Sequence, residues 1–274
     1  MSDIDKPLDQ ADQRKLKTRG QGIGADYQPF IQIQDLSSSG ESVRSLGRVT
    51  GRVHHLLSGI DLAAFSIFDW YSYTADIREQ FPLPFDETLS LCQELGIKHP
   101  QLRGKLKVVT TDLLVDFHDR APLAVAIKPV SELTKPRTIE KLQIEKAYWE
   151  LKDVEWKLFT DKEVSPELKE NLLWIKPVLA SIHWEQFGFE RDEYAVVELA
   201  GRLTEYPNQT ATKCCARLDD SYGVEPGTHL ETLRYAIATR QIKAPLQYSY
   251  HHWKCSDLVL DDSASAHWRI SHAN

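Results

Sequence analysis

An acid and a lysine stand on two neighbouring segments of this sequence that both alternate like β-strands. The first segment, residues 105–117, contains Asp112, and the second, residues 123–128, ends at Lys128. Because side chains alternate between the faces of a strand, a turn centred near Asp119 would place Asp112 and Lys128 on one face of the strand pair. Such a pair could support phosphodiester hydrolysis: the carboxylate would hold a divalent cation, and the lysine would orient the attacking water or stabilise the transition state.

The pair alone is weak evidence for a catalytic site, because any hairpin can carry an acid and a lysine. On a protein surface such an ion pair contributes only about 0–1 kcal/mol to stability. A further acid, Asp61, stands at the start of the preceding predicted helix and could direct a carboxylate at a shared ion. The order Ser58-x-x-Asp61 is equally that of a capping box, in which the acid only caps the helix. Glu145, on the helix after the hairpin, is another carboxylate, which a solvated helix face would also explain. The residues alone leave these alternatives open.

The overall charge argues against a protein that binds DNA along its whole surface. The 274 residues include 33 Lys and Arg against 40 Asp and Glu, so the formal net charge is −7. Proteins that bind DNA without sequence preference usually carry a basic surface. Any contact with DNA is therefore expected from local basic patches, with partners that hold the duplex.

The clearest basic patch is the segment 43–55, which contains no acid. Three arginines four residues apart, unbalanced by carboxylates, favour contact with phosphates, although a solvated loop is the alternative. Gly47 and Gly51 interrupt the segment, so it need not be a helix. The candidate DNA-binding residues here are Arg44, Arg48, Arg52, His54 and His55. Elsewhere they are Arg78, Arg234 and Arg240.

The cysteines and the glycine-rich segment 19–24 indicate no specific site. The sequence has no CxxC pair, so the four cysteines are expected to be reduced thiols in a cytosolic protein. His251, His252 and Cys255 lack a second ligand pair at a zinc spacing, which argues against a zinc site. No strand precedes the glycines and no Lys-Ser/Thr follows them, which argues against a nucleotide P-loop. The N-terminus is polar, and no apolar run approaches the roughly 20 residues of a membrane helix. A soluble, intracellular protein is the prediction.

The order of the predicted elements favours a mixed α/β unit followed by a helical one. Residues 1–25 are polar and predicted to be mobile, and residues 30–36 alternate like a strand. Helices are predicted at 58–73, 86–95 and 138–152, and strands or extended segments at 77–83, 105–117, 123–128 and 154–160. From residue 161 the pattern is helical, with helices at 167–182, 193–203 and 229–239. Two domains are therefore predicted, residues 1–161 and 162–274.

Several stretches between residues 19 and 160 occur in an order that resembles one known family. They are 19–24 (RGQGIG), 51–58 (GRVHHLLS), 76–83 (DIREQFPL), 110–115 (TTDLLV), 126–129 (AIKP) and 145–150 (EKAYWE), together with Trp156. The chain resembles the TnsA family, the endonuclease subunits of Tn7-like heteromeric transposases. The resemblance implies a restriction-endonuclease-like α/β fold of the PD-(D/E)xK type in the first domain. For the smaller second domain we expect a mostly helical, winged-helix-like fold that binds DNA or a partner.

The resemblance also implies a catalytic triad, which by position falls on Asp61, Asp112 and Lys128. Mg²⁺, for which Mn²⁺ could substitute, would be held by Asp61 and Asp112, with the backbone carbonyl of Ile127 and the carboxylate of Glu145 as further ligands. The chain departs from the family pattern at two positions. The helix acid is aspartate where the family has glutamate, and Ala126 stands where some relatives carry a glutamine that can touch metal.

The implied function is cleavage of the 5′ ends of a transposon during cut-and-paste transposition. The implied partners are double-stranded DNA at the transposon ends, a TnsB-type DDE transposase and a TnsC-type AAA+ ATPase, with no membrane involved. We expect the protein in the bacterial cytoplasm, associated with the nucleoid when it is assembled on DNA. Two alternatives stay open: a stand-alone restriction- or resolvase-like nuclease, and a catalytically inactive adaptor that bridges transposition proteins.

Overall fold

The computed structural model describes residues 6–36, 42–181 and 190–261. The chain divides into two compact units, Met1–Val164 and Ser165–Asn274, and each is described by itself. Within the described ranges, every helix is too short or too polar to span a membrane.

A four-stranded mixed sheet forms the centre of the first unit. Its strands lie in the order β3 (Thr74–Pro82), β6 (Thr110–Phe117), β7 (Leu123–Ile127) and β8 (Glu155–Phe159). Strand β6 runs antiparallel to both β3 and β7, whereas β8 is parallel to β7. A parallel neighbour requires a crossover, which the helix α4 (Pro136–Leu151) provides. Every residue of β7 is buried, which explains its uninterrupted run of apolar residues.

Helices cover both faces of this sheet. On one face, Phe65 of α2 (Gly59–Trp70) belongs to the same core as the odd-numbered residues of β6, such as Leu113. On the other face, α3 (Phe85–Glu94) and Trp149 of α4 enclose the even-numbered residue Leu114. The alternation that the sequence predicted for β6 is confirmed, and it fixes the strand between two apolar layers.

Four short strands and one helix complete the first unit. They are α1 (Gln10–Leu16), the antiparallel pair β1 (Val43–Leu46) and β2 (Val53–Leu56), and the antiparallel pair β4 (Gln101–Leu102) and β5 (Lys105–Leu106). The basic segment 43–55, which the sequence did not assign to a helix or a strand, therefore forms a β-hairpin.

The N-terminal segment departs from the sequence prediction. Residues 1–5 lie outside the described part, but residues 6–25 contain α1 rather than a mobile tail. The buried Asp12 accepts hydrogen bonds from Lys107 Nζ at 2.6 Å and from the backbone N–H of Val108 at 3.1 Å. Gly20, with φ of +74°, lies so close to Pro82 that a Cβ atom would clash. Residues 33–35 form a short 3-10 turn where a strand was predicted.

The second unit is mostly helical. Its elements are α5 (Pro166–Ser181), α6 (Glu190–Thr204), α7 (Ala211–Tyr222), α8 (Thr228–Ala238) and the antiparallel pair β9 (Ile242–Lys243) and β10 (Val259–Leu260). Helix α7 was not predicted, because its buried face consists largely of a small residue and two cysteines: Ala211, Cys214 and Cys215, with Leu218.

Candidate active site

Asp112 and Lys128 are in direct contact at the ends of β6 and β7. Lys128 Nζ donates to Asp112 Oδ2 and to the carbonyl oxygen of Ile127, both at 2.7 Å. The predicted meeting of the acid and the lysine is confirmed. The paired residues of the two strands run from Leu113 to Val115, so the ladder stops just before Asp112. The backbone N–H of Ile127 instead donates to Asp112 Oδ2 at 2.6 Å, which ties the carboxylate to the neighbouring strand.

Asp61 lies at the start of α2 and is only 8% exposed. Its backbone N–H donates to Ser58 Oγ at 3.1 Å, and its Oδ2 accepts from the backbone N–H of Leu57 at 3.0 Å. Burial, together with the negative charge of Asp112, raises the pKa of Asp61 to about 7, while Lys128 opposes the rise. Ser58 therefore caps the helix, while the Asp61 carboxylate binds the backbone just before the cap and also lies in the electrostatic field of Asp112 and Lys128.

Glu145 faces inward from α4, so the alternative of a solvated helix face is excluded. Glu145 is 5% exposed, and its Oε1 has no hydrogen-bond partner among the described residues. Burial and the charge of Asp112 raise the pKa of Glu145 to about 8, and Lys128 offsets part of the rise. A buried carboxyl group near neutral pKa close to other titratable groups is a feature of functional sites.

Lys128 is the cation at the centre of this cluster. Burial alone would lower the pKa of Lys128, but Asp112, Glu145 and Asp61 raise it above its usual value, so the side chain stays an ammonium. One lysine thus faces three acids. In the part of the chain that the structure describes, no three His, Cys, Asp or Glu side chains come together as the ligands of one ion. The acids surround the lysine rather than a common point.

Gln80 belongs to this cluster, although sequence reasoning gave it no role. It is buried in β3, and its Nε2 donates to Asp112 Oδ1 at 3.1 Å. Thr110 Oγ1 donates to Gln80 Oε1 at 3.2 Å, which orients the amide with its N–H₂ group toward the acid. The backbone of Gln80 has φ of 49°, in the left-handed region that few non-glycine residues adopt. The sequence carries no signal of that conformation.

The predicted DNA contacts of Arg52 and His54 are wrong, because both side chains are buried in the first unit. Arg52 is 8% exposed and forms an ion pair with Glu79, with Nη1 2.8 Å from Oε1. His54 is fully buried and lies between Glu79 Oε2 at 2.8 Å and Thr50 Oγ1 at 2.7 Å. The hairpin turns these side chains toward β3, where phosphates cannot reach them.

Arg48 and Arg78 are also engaged within the protein rather than directed at DNA. Arg48 is half-buried, and its Nε donates to the carbonyl oxygen of Asp69 at 2.9 Å, at the end of α2. Arg78 Nη2 donates to Asp116 Oδ2 at 2.5 Å.

The other DNA-binding candidates lie in differing environments. His55 accepts a hydrogen bond at Nδ1 from the backbone N–H of Ile33 at 3.2 Å, whereas Arg44 is exposed on β1. In the second unit, Arg234 Nε donates to the carbonyl oxygen of Trp174 at 2.5 Å, and Arg240 is half-buried just after α8. All eight predicted DNA-binding residues lie in the described part of the chain, and Arg44 is the one among them that is exposed.

Comparison with known proteins identifies the class to which this fold and site belong. A family model described as TnsA-like endonuclease N terminal matches residues 72–161, and one described as TnsA endonuclease C terminal matches residues 163–246. The protein is therefore an endonuclease whose first unit is a mixed α/β structure. The chain is also 40% identical over 250 residues to the transposon Tn7 transposition protein TnsA of Escherichia coli, with 90% of each chain covered. The chain belongs to the TnsA family, as the sequence motifs indicated.

Proposed function

We propose that this protein is a Mg²⁺-dependent endonuclease that cleaves the 5′ ends of a transposon during cut-and-paste transposition. It acts at double-stranded transposon ends together with a TnsB-type DDE transposase and a TnsC-type AAA+ ATPase, in the bacterial cytoplasm at the nucleoid. The likeness to a Tn7 transposition protein supports the process and the partners. The observation that carries the chemistry is the contact between Asp112 and Lys128, with Asp61 in the electrostatic field of both.

The finer fold assignments are part of the same proposal. A restriction-endonuclease-like fold of the PD-(D/E)xK type is supported by the acid on β6, the lysine just after β7, and the order of the mixed sheet. A winged-helix-like second unit is supported by three helices, α6 to α8, followed by the short pair β9 and β10. A domain boundary near residues 161–162 is supported by the division of the chain after Val164.

The donor atoms at the site suit Mg²⁺ or Mn²⁺, which prefer carboxylate and carbonyl oxygens. Asp61, Asp112 and the carbonyl of Ile127 would hold the ion, and Glu145 would supply a further carboxylate once the ion draws the three acids together, because without it they do not converge as ligands of one ion. Two observations support this fit. The ammonium of Lys128 already lies between Asp112 Oδ2 and the Ile127 carbonyl, so these oxygens accommodate a cation. Glu145 Oε1 is buried with no hydrogen-bond partner among the described residues.

The protein groups then have distinct roles. When bound, the metal lowers the pKa of a water molecule and offsets charge on the phosphate. Asp112, held by Gln80 and by the backbone of Ile127, presents its carboxylate at a fixed position relative to the sheet, where it would bind the cation. Lys128 stays positively charged and donates a hydrogen bond to the attacking water or to the oxygen that gains charge. Asp61 is held at the start of α2 by two hydrogen bonds.

The test is Asp112→Asn in an assay of transposon-end cleavage with the partner transposase and ATPase. The substitution keeps the shape of the side chain but removes the charge, so we expect the 5′-end cleavage rate to fall at least about 10²–10³-fold, as when one preorganised catalytic group is lost. Asp116→Asn is the matched control, because Asp116 lies on the same strand and pairs with Arg78. Unaltered 5′-end cleavage by Asp112→Asn would reject the proposal.

Two further measurements on the purified chain distinguish the other two functions. DNA cleavage by the purified chain with Mg²⁺, without partners, would identify a stand-alone nuclease. A titration in which the wild-type protein binds neither Mg²⁺ nor Mn²⁺ would identify an adaptor without catalytic activity.

A further inference from the structure

One face of helix α4 changes its chemistry along its length. Residues four apart lie on the same side of a helix, so Arg137, Lys141 and Glu145 form one row. Glu145 and its neighbours toward the C-terminal end, Tyr148 and Trp149, are buried against the sheet. The same face is therefore apolar or acidic where it covers the sheet and basic over its first two turns.

Neither of the two basic residues takes part in a buried ion pair like that of Arg52 with Glu79 within the described ranges. Arg137 Nη1 forms an ion pair with Glu140 Oε2 at 2.6 Å, and both side chains are about 40% exposed, so water screens the pair. Within the described ranges, Lys141 has neither a hydrogen bond nor an ion pair, and it is exposed to solvent. The part of the side chain that is shielded from water, and then the positive charges of Arg137 and Lys128, lower the pKa of Lys141. Lys141 thus lies in the field of two other cations, one of which is the lysine of the candidate active site.

This arrangement does not stabilise the helix. Like charges repel one another, and cations in the first turns of a helix oppose its dipole, which favours negative charge there. The first turn of α4 contains no acid. A row of solvent-accessible cations beside an acid–lysine pair is a surface to which an anion from outside can bind. Double-stranded DNA carries one negative charge for about every 1.7 Å along its axis.

We propose that Arg137 and Lys141 bind backbone phosphates of the DNA strand that enters the active site. The inference rests on the proposed nuclease function and assigns the surface that holds its substrate. It gives the DNA contact to α4 rather than to the hairpin, where Arg52 and His54 are buried. A short cationic row next to the reacting groups also explains how a chain with a net charge of −7 can bind DNA locally.

The first test measures the affinity of the full chain for a transposon-end duplex as a function of NaCl concentration, with Ca²⁺ in place of Mg²⁺. Each phosphate contact contributes about 0.9 to the slope of log K against log salt. We expect Lys141→Gln to reduce the slope by about one, and the double variant with Arg137→Gln to reduce it by about two. Lys146→Gln is the matched control, because Lys146 lies on the opposite side of α4 and pairs with Glu150 at 3.6 Å.

The second test uses cleavage in the reconstituted reaction, so it does not depend on tight binding by the free chain. Duplexes carry an uncharged methylphosphonate at single positions near the cleavage site. We expect one position to slow the wild-type protein but to have no further effect on Lys141→Gln, since non-additivity identifies a direct contact. Lys141→Arg, which keeps the charge, should restore sensitivity at that position.

Wild-type salt slopes for both variants, together with additive methylphosphonate effects, would overturn the inference. This failure is distinguishable from failure of the proposed function. If Asp112→Asn abolishes cleavage while the Lys141 and Arg137 variants behave as wild type, the nuclease assignment stands and the α4 assignment falls. If Asp112→Asn cleaves normally, the nuclease assignment falls, and the salt slope still decides whether α4 binds DNA.

Discussion

At the scale of single residues, Asp112 receives more contacts than any other group of the candidate site in the described structure. Gln80 donates to one of its oxygens, and Lys128 and the backbone of Ile127 donate to the other. The contact from Gln80 depends on a left-handed backbone, a conformation that costs of order 1–3 kcal/mol in a non-glycine residue. Strain of this kind persists where the surrounding structure holds it, and here it directs an amide at a catalytic candidate.

We predict that Gln80→Ala and Gln80→Gly lower the rate of transposon-end cleavage to a similar extent, about tenfold, because both remove one hydrogen bond to Asp112. The two variants should differ in stability, since glycine adopts positive φ without penalty and alanine does not. Cleavage rates and thermal midpoints measured side by side test this. Wild-type cleavage by either variant would contradict a positioning role, and equal midpoints would contradict the assignment of strain.

The sequence predicts some of these residues and misses others for identifiable reasons. The contact between Asp112 and Lys128 can be predicted, because both side chains fall on the same face of their strands and a short turn leaves few possible strand registers. The role of Gln80 cannot, because it depends on a backbone angle that no local pattern reveals. Arg52 and His54 were assigned to DNA because their charge was visible in the sequence, whereas their partner Glu79 lies 25 or more residues away and becomes a neighbour only in the fold.

At the scale of elements, the hairpin of β1 and β2 is attached to the sheet by a buried polar network around Glu79. Arg52 and His54 both bind this carboxylate, and the backbone N–H of His55 donates to it at 3.0 Å. Burial alone would raise the pKa of Glu79, but Arg52 and His54 hold it at about 2. The hairpin therefore depends on a charge that is fully compensated only in the folded state.

We predict that this network makes the first unit sensitive to acid. The pKa of Glu79 is lower in the folded state than its ordinary value of 4.5, so the ionised carboxylate stabilises the folded state. Its contribution to the free energy of unfolding, about 3 kcal/mol, is complete above pH 4.5 and is lost as the pH falls toward 2. Glu79→Gln should therefore destabilise the protein most at neutral pH, and the difference from wild type should shrink below pH 4.5. Denaturant midpoints at several pH values measure this.

Glu87→Gln provides the control for that experiment. Glu87 forms a surface pair with Lys152 at 2.7 Å, with both side chains more than 40% exposed, so its loss should lower the stability far less than the loss of Glu79. A Glu79→Gln variant no less stable than Glu87→Gln at pH 7 would show that the buried network does not hold the hairpin.

Long periodic elements follow from the sequence more readily than short ones. The helices α2 and α4 and the strands β7 and β8 were predicted within a few residues, because their apolar periodicity extends over several turns or alternations. The strand predicted at 105–117 ends where β6 ends, but β6 begins only at Thr110, because residues 105–106 form the separate strand β5. The hairpin strands β1 and β2 have only four residues each, too few for a period. Helix α1 is held by Asp12 through contacts with residues 95 and 96 positions away, which no local pattern predicts.

At the scale of the whole molecule, all groups of the candidate site belong to the first unit. Both apolar cores that enclose the sheet are built entirely from residues between 56 and 159. The division after Val164 lies three residues from the boundary that the change in sequence pattern indicated. We therefore expect the mutual geometry of the catalytic candidates to depend on the packing of the first unit.

We predict that residues 1–164, produced alone, fold cooperatively and keep the environment of the site. The fragment retains β8, whose Phe159 carbonyl accepts from the backbone N–H of Lys128 at 3.0 Å, and therefore retains the support of the lysine. A fragment that ends at residue 151 lacks this strand and leaves the buried strand β7 as an unpaired edge, so it should not fold. Near-ultraviolet circular dichroism and calorimetry distinguish the two fragments. A noncooperative transition for residues 1–164, without a near-ultraviolet signal, would mean that the site depends on the second unit.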